Sequence, residues 1–512
     1  MTQTSANNKR IAKNTLMLYV RMLFGMIVSF YTSRVVLATL GITDFGINNV
    51  VGGVAALFSF LNASLSGATS RFLTIELGRN DLRKLKETFA AAFTIHLVLA
   101  IFLFILCETV GLWLLEYKLV IPENRMNAAR VLFQLSTISS MVGITQVPFS
   151  ACLISHEKMD VFAYLGVGDL LLKLLIVYAI VITPFDRLIT YGILLFCVSL
   201  FMLTIYRWYA IKHFEECSMR LSFRKELMIP MLKFSGWDLF GNMSVMLRGQ
   251  GVNILQNMFW GPAVNAATGV ANQIMGAILG FSNNFITAIR PQLVKLYAQN
   301  NIPEMQKLAE RSSRFSFFLL FFISLPCFIE LPFVLDIWLK KVPDFAVDFA
   351  RWSIIFNWNV TMFLPLMHII HATGKMKRIS LINGSLYILV IPITYLAYIN
   401  KAANPTFPFV INALAVLIGS MSNLYSVKLY IPSFKVVHYL IHAPLRGFFV
   451  AFVGAVLPIV SHYIFGFGWI GFFVTCIVSV LSLTLAILYI GLNNHERGVV
   501  VTAVLSKLHI IK

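Results

Sequence analysis

About fourteen apolar runs of roughly 20 residues follow one another along this chain, the length a helix needs to cross about 30 Å of hydrocarbon. Lipid offers no partner for backbone N–H and C=O groups, so such runs satisfy them internally as helices. The runs lie near 12–37, 45–69, 89–115, 128–154, 161–183, 188–207, 234–259, 264–289, 313–339, 347–371, 379–400, 406–427, 447–466 and 468–491. Composition points the same way: 58% of the residues are hydrophobic, 44 of them phenylalanine, and only 12% are charged, against about 25% charged in a soluble chain. The fold class is therefore an all-α integral membrane protein. Its first run continues well past the 7–15 apolar residues of a signal-peptide core, so it is expected to stay in the mature chain.

The chain also repeats itself. At an offset of about 220 residues, Leu40-Gly41 returns as Trp260-Gly261-Pro262, Arg71 as Arg290, and Glu157-Lys158-Met159 as Gly374-Lys375-Met376. A duplicated apolar chain is the pattern of a carrier, because two packed repeats leave a site for cargo between them. Six spans per copy is an even number, so both copies enter the membrane in the same direction, as parallel repeats. The expected division is a six-helix lobe over 1–215, a second over 216–430, and helices 13 and 14 with a cytoplasmic tail over 431–512. The tail stretch Gly498 to Leu505 is too short to span and suits an interfacial helix.

Basic residues orient the spans. With the N-terminus inside, about 29 of the 41 Lys and Arg residues fall in cytoplasmic segments and about 6 in external loops. Both termini are then cytoplasmic. Most tryptophans sit at span ends, as in an aromatic belt. The net charge of +19 is spread over many short loops rather than one stripe, which suits anionic lipid headgroups and argues against nucleic acid as a partner. Six cysteines show no CxxC and no Cys/His cluster, so neither a disulfide nor a metal site is expected. Walker A and HExxH patterns are missing, no GxGxxG follows a strand pattern, and the external loops are short. The expectation is a membrane transporter, not an enzyme, with no cofactor.

Ionisable residues inside spans are costly, so each asks for a function or a partner. Arg21 lies about 13 Å into the first span and Arg248 about 21 Å into the seventh, its repeat equivalent. Guanidinium is charged at any relevant pH and forks onto phosphate, so the pair suits an anion site; structural pairing is the alternative. Arg34 is a second rung of that site or a snorkelling side chain. Lys173 and Asp169, four residues apart, share a helix face and form either an ion pair or a substrate and coupling element. Glu330 stands between Pro326 and Pro332 in a broken helix, a coupling candidate for proton or sodium. Glu108, Asp238 and Asp336 lie near span ends, where solvation or capping accounts for them. His96 and His368 read as packed residues rather than proton carriers. Asn48, Asn49 and Asn62, with Asn265, Asn272, Asn283 and Asn284, either bridge packed helices or line a sugar-facing wall.

Several of these stretches resemble a known family. The segment Asn14 to Arg34 around Arg21, the turn Leu40-Gly41-Ile42-Thr43-Asp44-Phe45-Gly46, the Ser70-Arg71-Phe72 span end and the inner turn His156-Glu157-Lys158 look like those of bacterial polysaccharide biosynthesis flippases. These belong to the multidrug, oligosaccharidyl-lipid and polysaccharide exporter superfamily. The resemblance covers essentially the whole chain. It implies alternating-access transfer of undecaprenyl pyrophosphate-linked oligosaccharide, such as an O-antigen repeat unit, across a bacterial inner membrane. It also implies membrane lipids and other polysaccharide-assembly proteins as partners, with Arg21 and Arg248, then Arg34 and Lys173, as the cationic substrate site. In related peptidoglycan-precursor flippases the last two helices form a lipid-tail groove, which would give spans thirteen and fourteen their role. A multidrug or organic-cation exporter and a peptidoglycan-precursor flippase are the alternatives.

Overall fold

The computed structural model describes residues 3–56, 60–79, 81–156, 158–339, 341–494 and 496–498. Among them there are helices and no strand. In chain order these are α1 (Gln3–Ala56), α2 (Phe60–Arg79), α3 (Leu82–Leu106), α4 (Leu112–Tyr117), α5 (Met126–Ser155), α6 (Met159–Ile182), α7 (Arg187–His213), α8 (Lys225–Trp260) and α9 (Pro262–Ala298). They continue as α10 (Ile302–Ile329), α11 (Leu331–Trp338), α12 (Ala346–Thr373), α13 (Lys377–Ile399), α14 (Phe407–Tyr430), α15 (Val436–Leu440), α16 (Arg446–Phe465) and α17 (Trp469–Ala486). Among the described residues eleven helical segments are both long and apolar enough to cross a membrane; the expected span 45–69 falls partly on α1 and partly on α2, with 57–59 outside the described residues. The chain is an all-α membrane protein. Residues 499–512, which include most of the expected interfacial tail helix, lie outside the described residues.

The helices form two compact units. One comprises 1–269, 339–345 and 384–408; the other comprises 270–338, 346–383 and 409–512.

Within the first unit, the turn at Leu40-Gly41 is a kink inside α1, where Gly41 adopts φ 81° and ψ 171°. Gly261, its repeat partner, ends α8 at φ 77° and ψ −178°. Two glycines about 220 residues apart thus hold the same conformation, one that a Cβ would strain. Downstream of the kink, Gly46 lies against the start of α9 so closely that a Cβ would stand 1.8 Å from the Pro262 carbonyl oxygen. Backbone cannot yield as a flexible side chain does, so Gly46→Ala is expected to destabilise the protein by about 1–3 kcal/mol. A detergent thermal melt indistinguishable from wild type would refute that contact.

Asp44, in the same turn, accepts from Arg125 Nε and Nη2 at 2.8 and 2.6 Å. Arg125 also donates to Asp186 at 2.5 and 3.2 Å. One guanidinium therefore clamps α1, the start of α5 and the start of α7, where Asp186 caps the helix by accepting from Ile189 N. The Arg125 hydrogen bond holds the Asp186 carboxyl below its ordinary pKa, against a smaller upward push from burial. A depressed carboxylate adds stability above its unfolded pKa of about 3.9, and that stability is lost as pH falls through the lower folded value. Wild type should melt above Asp186→Asn at neutral pH, and the gap should close as pH drops below the ordinary aspartate range. A gap that persists unchanged in strong acid would contradict the clamp.

In the second unit, α10 is the core. Of its most apolar stretch 61% is buried, and Phe317, Phe321, Leu366, Ile369, Val427, Tyr439 and Val450 belong to the cluster built around it. α10 starts at the cap Asn301, whose side chain accepts from Glu304 N, with a proline in the first turn. It stops at Glu330, and α11 begins one residue later, between the two prolines that break the helical hydrogen bonding. α16 and α17 form an antiparallel pair, turned at Gly466 (φ 65°) and Gly468 (φ 132°).

Candidate functional site

The proposed cations do not share one environment. Arg248, on α8, places its guanidinium 4.3 Å from the centre of the Tyr387 ring in the first unit, a stacking arrangement that suits a desolvated arginine. Arg34, on α1, is exposed. Arg21 is on α1 as well, and its side chain lies outside the described residues. Lys173 donates to Asp169 at 2.7 Å, so these two close on each other as an ion pair on the α6 surface.

Glu330 is fully buried. Its Oε1 accepts from Thr475 Oγ1 at 2.9 Å and lies 2.7 Å from His462 Nδ1, joining the end of α10 to α16 and α17. Its Oε2 is buried with no hydrogen bond among the described residues. Of the acids near span ends, Glu108 accepts from Gln134 Nε2 at 3.1 Å and Asp336 is exposed. The Asp238 side chain lies outside the described residues. His96 is buried, its Nδ1 2.8 Å from the Ala92 carbonyl oxygen, the setting of a packed residue.

The asparagines form a packed network in the first unit. Asn253 Nδ2 donates to Asn49 Oδ1 at 3.1 Å, and Asn265 Nδ2 donates to Asn253 Oδ1 at 2.7 Å. Asn257 Nδ2 donates to Asn265 Oδ1 at 2.9 Å, while Asn257 Oδ1 accepts from Val120 N at 2.7 Å. Asn253, Asn257 and Asn265 are all buried, so the amides of α1, α8 and α9 bridge helices here. Asn272 is exposed, and the side chains of Asn62, Asn283 and Asn284 lie outside the described residues.

The second unit carries a groove of about 560 Å³ among α10, α12 and α16. Phe317, Phe321, Phe448, Phe452 and Trp358 line it, and Arg351 and His462 lie toward one end. From Phe448 to Tyr463 it follows about 22 Å of α16. Arg351 sits 5.7 Å from the Phe328 ring centre and donates from Nε to the Phe328 carbonyl oxygen at 3.4 Å. Apolar walls with one cation fit an alkyl chain joined to an anion. Sequence reasoning overlooked Arg351; a basic residue opening an apolar run beside Trp352 was the available signal.

Spacing along the chain also hides a polar cluster at the end of α5. Cys152, His156 and Glu216 bring one ligand-type atom each to within 4.8 Å of one another. No short motif announces it, because Glu216 is 60 residues from His156.

No family model matches the chain, and no curated protein matches its sequence. Among solved structures it is similar to lipid II flippase MurJ in an inward closed conformation, 14% identical at a TM-score of 0.62, covering 92% of this chain and 98% of that one. It is similar to the MATE multidrug transporter DinF-BH in a ligand complex, 13% identical at a TM-score of 0.60, covering 85% and 99%. A third similarity is to an inward-facing multidrug resistance MATE transporter of the MOP superfamily, 10% identical at a TM-score of 0.57, covering 81% and 96%. At these identities the likeness is one of fold: the chain has the fold of these three transport proteins.

Proposed function

We propose that the chain is a flippase, without enzymatic activity, that moves undecaprenyl pyrophosphate-linked oligosaccharide across a bacterial inner membrane by alternating access. The observation that carries this reading is the apolar groove along α16 with Arg351 toward one end. A prenyl chain fits the aromatic walls, and a cation at the groove suits a tail tethered to pyrophosphate. Within the first unit, Arg248, held on Tyr387, forms with Arg21 and Arg34, both on α1, the proposed set of cations for an anionic headgroup. The fold shared with a lipid II flippase supports the lipid substrate class. In this reading α16, the thirteenth span, is a wall of the tail groove and α17 braces it.

Coupling to proton or sodium is assigned to Glu330, whose carboxylate is buried and half-satisfied. Asp169, neutralised by Lys173, is the weaker of the two coupling candidates. Both termini are placed in the cytoplasm, and other polysaccharide-assembly proteins are the proposed partners.

Native mass spectrometry of the purified chain with undecaprenyl pyrophosphate tests the groove. A one-to-one adduct is expected, weakened about 10-fold or more by Arg351→Ala, the loss of one charge-assisted contact. Retention of rhodamine, a fluorescent organic cation, with no prenyl pyrophosphate adduct would turn the assignment toward a cation exporter.

A further inference from the structure

At the end of α5, three side chains of metal-ligand type, Cys152, His156 and Glu216, converge from two parts of the first unit, with Cys217 next in the chain to Glu216. Cys152 and His156 are four residues apart, so the last helical turn puts them on one face. His156 caps that turn, its backbone N–H bonded to the Cys152 carbonyl oxygen at 3.0 Å. Across from them the chain leaves α7 through a tight bend, where Cys217 N donates to the Phe214 carbonyl oxygen at 3.2 Å. That bend presents Glu216 and Cys217. Cys152 Sγ lies 3.2 Å from Glu216 Oε1, and His156 Nε2 lies 2.6 Å from the same oxygen. The Cys217 thiol sits beside that of Cys152, close enough for the two to interact.

We propose that Cys152, His156, Glu216 and Cys217 form a zinc site that ties the end of α5 to the segment leading into α8. Four-coordinate zinc with bonds of about 2.0–2.3 Å sets its ligand atoms about 3.3–3.8 Å apart. The three clustered atoms, all within 4.8 Å of one another, lie on the same length scale. Charge argues for a cation too. Glu216 is 3% exposed, and its described hydrogen-bond partners are a thiol and an imidazole. A divalent ion offsets the Glu216 carboxylate and the Cys152 thiolate, and Cys217 as a second thiolate would complete the tetrahedron with one net negative charge.

The surroundings are those of a structural site. Phe149, Leu153, Tyr206, Ala210 and Phe214 pack around the two cysteines, and the Phe214 ring stacks on His156 at 4.2 Å, fixing its orientation. The His156 side chain keeps 25% exposure, which leaves an entry path for the ion. The proposal is independent of the transported substrate.

The test uses the full chain in detergent, stripped with chelator and titrated with Zn²⁺ alone against a chromophoric competitor, and with Co²⁺ as a spectroscopic probe. One Zn²⁺ per chain is expected, and Co²⁺ should show thiolate-to-metal charge transfer with tetrahedral visible bands. Cys152→Ser and Glu216→Gln should each weaken Zn²⁺ binding at least about 10–100-fold, since removing a ligand costs no less than disturbing its outer support. Should Cys152→Ser fail to fold, Cys217→Ser, on the bend after α7, must still remove charge-transfer intensity. Substoichiometric Zn²⁺, Co²⁺ spectra without thiolate character, or affinity unchanged in the variants would overturn the site. Thiol counting on the denatured, unreduced chain gives a separate check: four free thiols instead of six would mean that Cys152 and Cys217 form a disulfide, and the zinc site would fall.

Discussion

Arg248→Ala is expected to reduce transfer of a pyrophosphate-linked lipid oligosaccharide to near background while leaving the protein folded. A hydrogen bond to a charged group contributes about 1.5–3 kcal/mol net, and losing it at the step that commits the headgroup lowers the rate about 10- to 150-fold. Arg248→Lys separates charge from geometry: it keeps the positive charge and loses both the fork and the stacking on Tyr387, 4.3 Å away. Its activity should fall between wild type and alanine. Reconstituted vesicles with matched protein content check both variants, and an alanine variant as active as wild type would remove Arg248 from the substrate path.

The largest stability effect should come from Arg125→Ala. The guanidinium holds Asp44 and Asp186 together, and its removal leaves two carboxylates facing each other without a counter-charge. Breaking a fully buried pair costs about 3–5 kcal/mol. The three side chains here keep 16–33% exposure, so solvent screening brings the figure to about 2–3 kcal/mol. The double variant Arg125→Ala with Asp186→Asn should recover part of that loss, because it removes one of the repelling charges. Thermal melts of the single and double variants measure the recovery, and a single variant as stable as wild type would show that the clamp carries no stability.

These two residues also show what was legible in the sequence. Arg248 could be found because a cation inside an apolar run is conspicuous whatever it touches. The helices could be found for a similar reason: length and hydropathy are local properties, and lipid leaves the backbone few alternatives. Gly41 and Gly261 were visible as a repeat, and the structure supplies its cause in a shared positive-φ turn. Arg125 was not legible, since its carboxylates lie 81 and 61 residues away. The groove along α16 and the cluster at Cys152 escaped for the same reason, each being assembled from elements distant in sequence. Polar residues inside spans were legible as a class, yet sequence alone could not sort the bridging Asn49 and Asn265 from residues able to meet a substrate.

The central claim is the substrate class, and leaflet translocation in proteoliposomes tests it most directly. The purified chain would be reconstituted with a labelled prenyl pyrophosphate-linked oligosaccharide on one leaflet, and in parallel vesicles with a rhodamine dye inside. The account predicts protein-dependent transfer of the lipid, abolished by Arg248→Ala, and no efflux of the dye. Dye efflux without lipid transfer, from protein shown to be folded, would contradict it and identify the chain as a cation exporter.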